Sequence, residues 1–140
     1  MPAYWDSSAA ASLCIAVQSD VELWGLYRQD PIVTWWGSEL EIFGAIQRLA
    51  RHGGITPKAT QAAEARLAVL SRQWKVIAPS NQVRTIAEAC LKKYDLRTAD
   101  ALQLASALVW CKQIPKHRTF VCRDTKLSAA AAAAGFHPKP

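Results

Sequence analysis

Residues 32–54 read IVTWWGSELEIFGAIQRLARHGG, and the change of period inside this stretch decides the fold class. Ile32–Trp35 is short, apolar and β-prone, so it reads as a strand. From Ser38 to His52 the spacing turns helical, with Leu40, Phe43, Ile46, Leu49 and Ala50 forming one apolar face. Ser38-x-x-Glu41 has the form of a capping box, and Gly53-Gly54 stops the helix. A strand leading straight into an amphipathic helix is the repeating unit of a parallel α/β sheet.

Working outward, the same grammar recurs. Ala3–Trp5 forms a short first strand, followed by an alanine-rich helix over Ser7–Val17. Asp20 can cap a helix over Val21–Gln29, which Pro31 breaks. Downstream, Pro57 suits the first turn of a helix over 58–73, with Ala62, Ala65, Leu67, Val69 and Leu70 in a mixed pattern. Trp74–Ala78 reads as a third strand, and Pro79-Ser80 opens a helix to about Lys93. Thr98 is placed to cap a helix over Ala99–Lys112, with Ala101, Leu104, Ala105 and Leu108 on one stripe. Thr119–Cys122 is a fourth strand. A last helix starts at Asp124 or Thr125 and ends at Gly135, and Phe136-His137 can add an edge strand. The expectation is one α/β domain spanning 1–140, a central parallel sheet of four to five strands flanked by helices in three layers.

Composition narrows the functional classes. The chain has 140 residues, 51% hydrophobic and 20% charged, as ordinary globular proteins do. Its net charge of +6 makes nucleic acid the first partner to consider and an acidic protein the second. Basic groups cluster at Arg48, Arg51 and His52, at Lys92, Lys93 and Arg97, and at Lys116, His117 and Arg118. Cys14, Cys90, Cys111 and Cys122 show no C-x-x-C pairing and sit in apolar stretches, so they read as reduced core thiols in a cytoplasmic protein. The longest uncharged stretch, Ser7–Ser19, is too short and polar to span a bilayer.

Sites in open parallel sheets form beyond the C-terminal ends of the strands. Four acids fall on that edge: Asp6 after the first strand, Glu41 and Asp100 in helix first turns, and Asp124 after the fourth strand. Taking these four away leaves 17 basic side chains against seven acids, a negative pocket in a positive shell. Hard carboxylate oxygens suit Mg²⁺ or Mn²⁺, and such an ion can activate water against a phosphodiester. The basic shell suits flanking phosphates, and Trp and Tyr near the edge suit unpaired bases. Each acid has a structural alternative. Asp6 and Asp124 can cap helices, Glu41 can complete the capping box, and Asp100 can favour a helix dipole. Spacing alone leaves the two readings balanced.

Four stretches carry a resemblance. AYWDSSAAASL (3–13), TWWGSELEIFGAIQRLARHGGIT (34–56), LRTADALQLASAL (96–108) and FVCRDTKLSAAAAAAGF (120–136) resemble, in order, the four motifs of VapC-type PIN domains, and the third is the most specific. The resemblance implies a PIN fold and a Mg²⁺- or Mn²⁺-dependent ribonuclease directed at single-stranded RNA. It carries over Asp6, Glu41, Asp100 and Asp124 as the metal-binding, catalytic acids, with Ser8 as a supporting hydroxyl. It further implies a VapB-type antitoxin partner, a PIN–PIN homodimer and the role of toxin in a type II toxin–antitoxin pair. Cys122 departs from the pattern, since many relatives have Ser or Thr there, and a thiol hydrogen-bonds weakly. Glu39 is a rival to Glu41, but register against Ala45 and Arg48 favours Glu41 and leaves Glu39 solvated. The aromatic helix residues Leu23, Trp24 and Tyr27 can serve a partner, with core packing the preferred reading.

Other chemistries fit less well. A metal-free ribonuclease would use histidines, but His52, His117 and His137 all lie at helix ends or outside the edge motifs. An aspartyl-phosphate phosphatase would want Asp-x-Asp, where this chain has Ser8. The rival from another class is a PIN-fold module that binds RNA or protein without cutting.

Overall fold

The short apolar runs at 3–5, 32–35 and 119–121 become strands covered on both faces, which is why they read as continuous hydrophobic segments, while the two edge strands stay largely exposed. In the computed structural model, which describes residues 2–15 and 21–140, the elements run β1 (Ala3–Trp5), α1 (Ser7–Ile15), α2 (Val21–Gln29), β2 (Ile32–Trp35), α3 (Ser38–Arg51), α4 (Pro57–Ser71), β3 (Lys75–Ile77), α5 (Asn81–Lys93), α6 (Thr98–Trp110), β4 (Thr119–Val121), α7 (Thr125–Ala134) and β5 (His137–Lys139). All four strand pairings are parallel, in the order β3-β2-β1-β4-β5. The expected three-layer α/β sheet is therefore present with five strands. Asp20 and the end of the first expected helix lie outside the described residues.

Alternation along β1 sorts the two layers. Ala3 and Trp5 join a cluster with Leu13, Ile42, Ile46 and Leu67, beneath the α1–α4 layer. Tyr4 faces the opposite way, into a cluster with Val33, Leu104, Phe120 and Leu127, beneath α5–α7. There Tyr4 stacks on Phe120 at 5.1 Å between ring centroids. Leu23 is fully buried, Trp24 and Tyr27 are partly buried against the first cluster, and their two rings meet edge to face at 5.4 Å. Core packing, the preferred reading, holds fully for Leu23 and in part for Trp24 and Tyr27. All four cysteines are free and buried. No helix among the described residues is long and apolar enough to cross a membrane.

Capping chemistry fixes several boundaries. The Thr56 hydroxyl accepts from Ala59 N–H with Pro57 following, and Ser80 does the same for Val83. Gly135, at φ +114°, ends α7 in the left-handed conformation that a side chain would disfavour.

Three expectations fail here. The apolar face assigned to α3 points partly outward: Leu40 is 72% exposed, Phe43 42% and Leu49 37%, while Ser38, Ile42 and Ile46 face inward. The helix carries two apolar stripes, and packing against α1 and α4 selects the one spaced by fours. Likewise in α4 the buried residues are Ala63, Leu67 and Leu70, and Val69 is exposed. Finally, neither the Ser38–Glu41 capping box nor a Thr98 cap forms. The N-cap positions are Gly37 and Arg97, neither makes a side-chain cap, and Ser38 is spent on buried partners instead.

Candidate active site

Strand order places the edge where the acids meet. The chain leaves β1 towards β2 and β3, then crosses to β4 on the other side of β1. The reversal opens a crevice beyond the C-terminal ends of β1 and β4. Asp6 directly follows β1 and Asp124 lies just beyond β4. Glu41 sits in the first turn of α3 and Asp100 in the first turn of α6. The turn that delivers α3 needs Gly37. A Cβ there would meet Trp35 Nε1 at 2.5 Å, so the close approach of indole and backbone requires the missing side chain.

Asp6 and Glu41 are firmly held. Asp6 is 2% exposed. The Ser8 hydroxyl lies 2.8 Å from both Asp6 carboxylate oxygens, and Ala9 N–H donates to Oδ1 at 3.0 Å. Ser8 Oγ also accepts from Arg123 N–H at 2.9 Å, so one hydroxyl ties the end of β1 to the segment after β4. Ser7 Oγ donates to Glu41 Oε2 at 3.0 Å, and Gln103 Nε2 donates to Glu41 Oε1 at 3.0 Å. Glu39 is exposed and accepts from Ser71, which agrees with its reading as a solvated neighbour.

Asp100 and Asp124 are less constrained. Both are partly exposed. Asp124 caps α7 by accepting from Leu127 N–H at 2.8 Å. Asp100 accepts no hydrogen bond among the described residues. Cys122 stands between Ser8 and Asp124: its sulfur is 4.0 Å from Ser8 Oγ and accepts from Asp124 N–H at 3.3 Å. Burial pushes the pKa of this thiol well up.

The acids share one electrostatic field. Burial raises the Asp6 carboxyl above the usual carboxylate range. Burial also raises Glu41, and the charges of Asp6 and Asp100 push it further up. Asp100 is raised by burial and then by Asp124. Asp6 and Asp124 fulfil their structural alternatives as caps, accepting from Ala9 and Leu127 N–H, and their charges also reach Glu41 and Asp100 respectively.

The donor chemistry suits Mg²⁺ or Mn²⁺, being hard oxygen throughout. Among the described residues no three His, Cys, Asp or Glu side chains are arranged to hold an ion together. Mg²⁺ keeps several waters and is taken up through one or two carboxylates plus substrate phosphates, so a closed cage is not required. Two clefts flank the edge. One, of about 390 Å³, opens over Ser7, Ser8 and Glu41 with Arg48 on its wall. The other, of about 500 Å³, runs from Arg123 and Asp124 to Lys139. The three histidines are exposed.

Sequence reading missed Ser7, Ser38 and Gln103. Gln103 had a visible signal, as the lone amide in the apolar run ALQLASAL. Ser7 and Ser38 had none beyond adjacency to Asp6 and to the start of α3.

No family model matches the sequence, and no curated protein matches it. Solved structures do. One chain of a toxin–antitoxin complex from Klebsiella pneumoniae is similar at a TM-score of 0.63 and 18% identity, covering 91% of this chain and 90% of that one. One chain of VapBC2 from Rickettsia felis, bound to a DNA fragment from their promoter, is similar at a TM-score of 0.68 and 12% identity, covering 100% of both. At these identities the likeness shows the fold, a PIN-like α/β arrangement.

Proposed function

We propose that this chain, a single PIN domain over 1–140, is a Mg²⁺- or Mn²⁺-dependent endoribonuclease that cuts single-stranded regions of RNA as the toxin of a VapBC-type pair. One observation carries the reading. Asp6 and Asp124 follow the adjacent strands β1 and β4, and Glu41 and Asp100 open helices α3 and α6, so acids from four separate elements come to the switch point of the sheet, where burial first and then their neighbours' charges raise Glu41 and Asp100. Such repulsion costs stability, and a cation relieves it.

Asp6, Glu41, Asp100 and Asp124 would hold the ion. When bound, it supplies a lowered water pKa and neutralises charge at the scissile phosphate. Ser8 and Ser7 fix the carboxylates of Asp6 and Glu41 through the hydrogen bonds they donate. Arg48 in one cleft, and Arg123 and Lys139 in the other, are placed to hold phosphates on either side of the acids. The basic surplus supports an RNA substrate by the same argument. The toxin reading brings with it a VapB-type antitoxin, a PIN–PIN homodimer and a cytoplasmic setting. Exposed Trp36, Leu40 and Phe43 offer apolar surface for such protein contacts.

The test is cleavage of single-stranded RNA by purified protein with Mg²⁺. The expected products carry a 5′-phosphate and a 3′-hydroxyl, and EDTA stops the reaction. Asp100→Asn is expected to fall to background while remaining folded. An Asp100→Asn protein that cuts like the parent under excess Mg²⁺ overturns the assignment. The second reading, a PIN-fold module that binds without cutting, draws on the lack of any three acids arranged around an ion among the described residues. A pure parent that binds RNA and never cleaves it would select that reading.

A further inference from the structure

Gln103 is 1% exposed on the buried side of α6, surrounded by Ala101, Leu104 and Ala105. A primary amide in that position is costly unless every polar atom is bonded, and a leucine would fill the space more cheaply. Here every atom is bonded. Tyr4 O–H donates to Gln103 Oε1 at 2.7 Å. Gln103 Nε2 donates to Ser38 Oγ at 2.9 Å and to Glu41 Oε1 at 3.0 Å.

The amide sits at the end of a longer network. Thr34 O–H lies 2.6 Å from the Trp5 carbonyl and 2.8 Å from Ser38 Oγ, both of which accept from it. Ser38 Oγ and the Glu41 carboxylate both accept from Gln103 Nε2, which turns the amide NH₂ towards them and its carbonyl towards Tyr4. A flipped amide would set oxygen against the Glu41 carboxylate. The chain of bonds starts at the carbonyl of Trp5, the residue before Asp6, and ends on Glu41.

We propose that Gln103 is a positioning residue whose amide, locked between Tyr4 and Ser38, holds the Glu41 carboxylate in register with Asp6 for a divalent cation. This rests on the reading of Glu41 as a metal-facing acid. Ser7 grips the other oxygen, Oε2, so the two donors together fix the plane of the carboxylate. The amide adds no charge and touches neither ion nor RNA; it acts through Glu41.

The test is Mn²⁺ affinity of the metal-free intact chain, read by electron paramagnetic resonance, in a double-mutant cycle. Gln103→Met in the parent background is expected to weaken Mn²⁺ binding about 10-fold, as loss of a partner behind a ligand does. In a Glu41→Gln background the same change should alter affinity less than about 2-fold, because the two residues act as one unit. Equal loss in both backgrounds would mean general damage to the core and overturn the proposal. No loss in the parent background would also overturn it, with the metal site left standing. A parent chain that binds no Mn²⁺ overturns the metal reading and this role with it. If Gln103→Met does not fold, Tyr4→Phe removes only the bond that orients the amide. It should weaken binding about 3-fold in the parent background and leave the Glu41→Gln background unchanged. A Tyr4→Phe protein that binds Mn²⁺ as the parent does would overturn the proposal by the same route.

Discussion

Asp6 and Glu41 receive hydrogen bonds from Ser8, Ala9, Ser7 and Gln103, whereas Asp124 receives one from Leu127 and Asp100 none among the described residues. The first pair comes from β1 and α3, on elements packed around the centre of the sheet. The second comes from the turns that open α6 and α7, nearer solvent. One half of the edge is thus held by four donors, and the other by one. That division suits a site that must take an ion together with a mobile phosphate chain, since fixed groups set the place and loose ones complete the coordination.

The largest effects should not tell the halves apart. Asp6→Asn and Asp100→Asn are both expected to reduce RNA cleavage to background, measured in single-turnover assays with Mg²⁺. If only one half matters, the four-acid assignment breaks there. Ser8→Ala should separate the halves. It removes the hydroxyl that meets both Asp6 oxygens and leaves Arg123 N–H without its acceptor. Stability should drop by about 1–3 kcal/mol in denaturant titrations, with cleavage reduced roughly 10-fold. No comparable support stands behind Asp100, so Asp100→Asn should raise the melting temperature of the metal-free protein by about 2–4 °C.

The pH dependence sharpens the same contrast. Asp6, Glu41 and Asp100 are raised in the fold above their ordinary values. Below the ordinary carboxylate range they are protonated in both folded and unfolded chains and cost nothing. As pH rises from there through the raised values, the folded chain holds more protons than the unfolded one, so stability falls. Above the raised values the loss is complete. Metal-free protein should therefore lose melting temperature across that window. The slope should be shallower in Asp100→Asn, and Mg²⁺ should restore stability at neutral pH but not at acid pH. The smallest effect is expected for Cys122→Ser. A hydroxyl can take over the contacts to Ser8 and Asp124, so stability should change by less than about 1 kcal/mol in the same titrations.

Much of this edge was legible before the structure. The placement of Asp6 and Asp124 after strands was readable because a carboxylate after an apolar run and before a helix has a local signature. Asp100 and Glu41 could be placed from helix first turns. The errors share a cause. Leu40, Phe43, Ile46, Leu49 and Ala50 looked like one core stripe, but of these only Ile46 is buried, together with Ile42, because the neighbouring helices choose which side of the helix turns inward. Ser38 looked like a cap because capping is local. Its actual partners, Thr34 and Gln103, come from a strand and from a helix 65 residues away.

The sequence by itself determined the succession of strand, acid and helix, because periodicity, caps and breakers act over a few residues. Only the folded arrangement sets β1 beside β4, gives the two halves of the edge different hydrogen bonding, and brings an amide on α6 to Glu41. Those outcomes depend on pairings between residues as far apart as Tyr4 and Gln103, and no local propensity encodes which distant partner a buried polar group will meet.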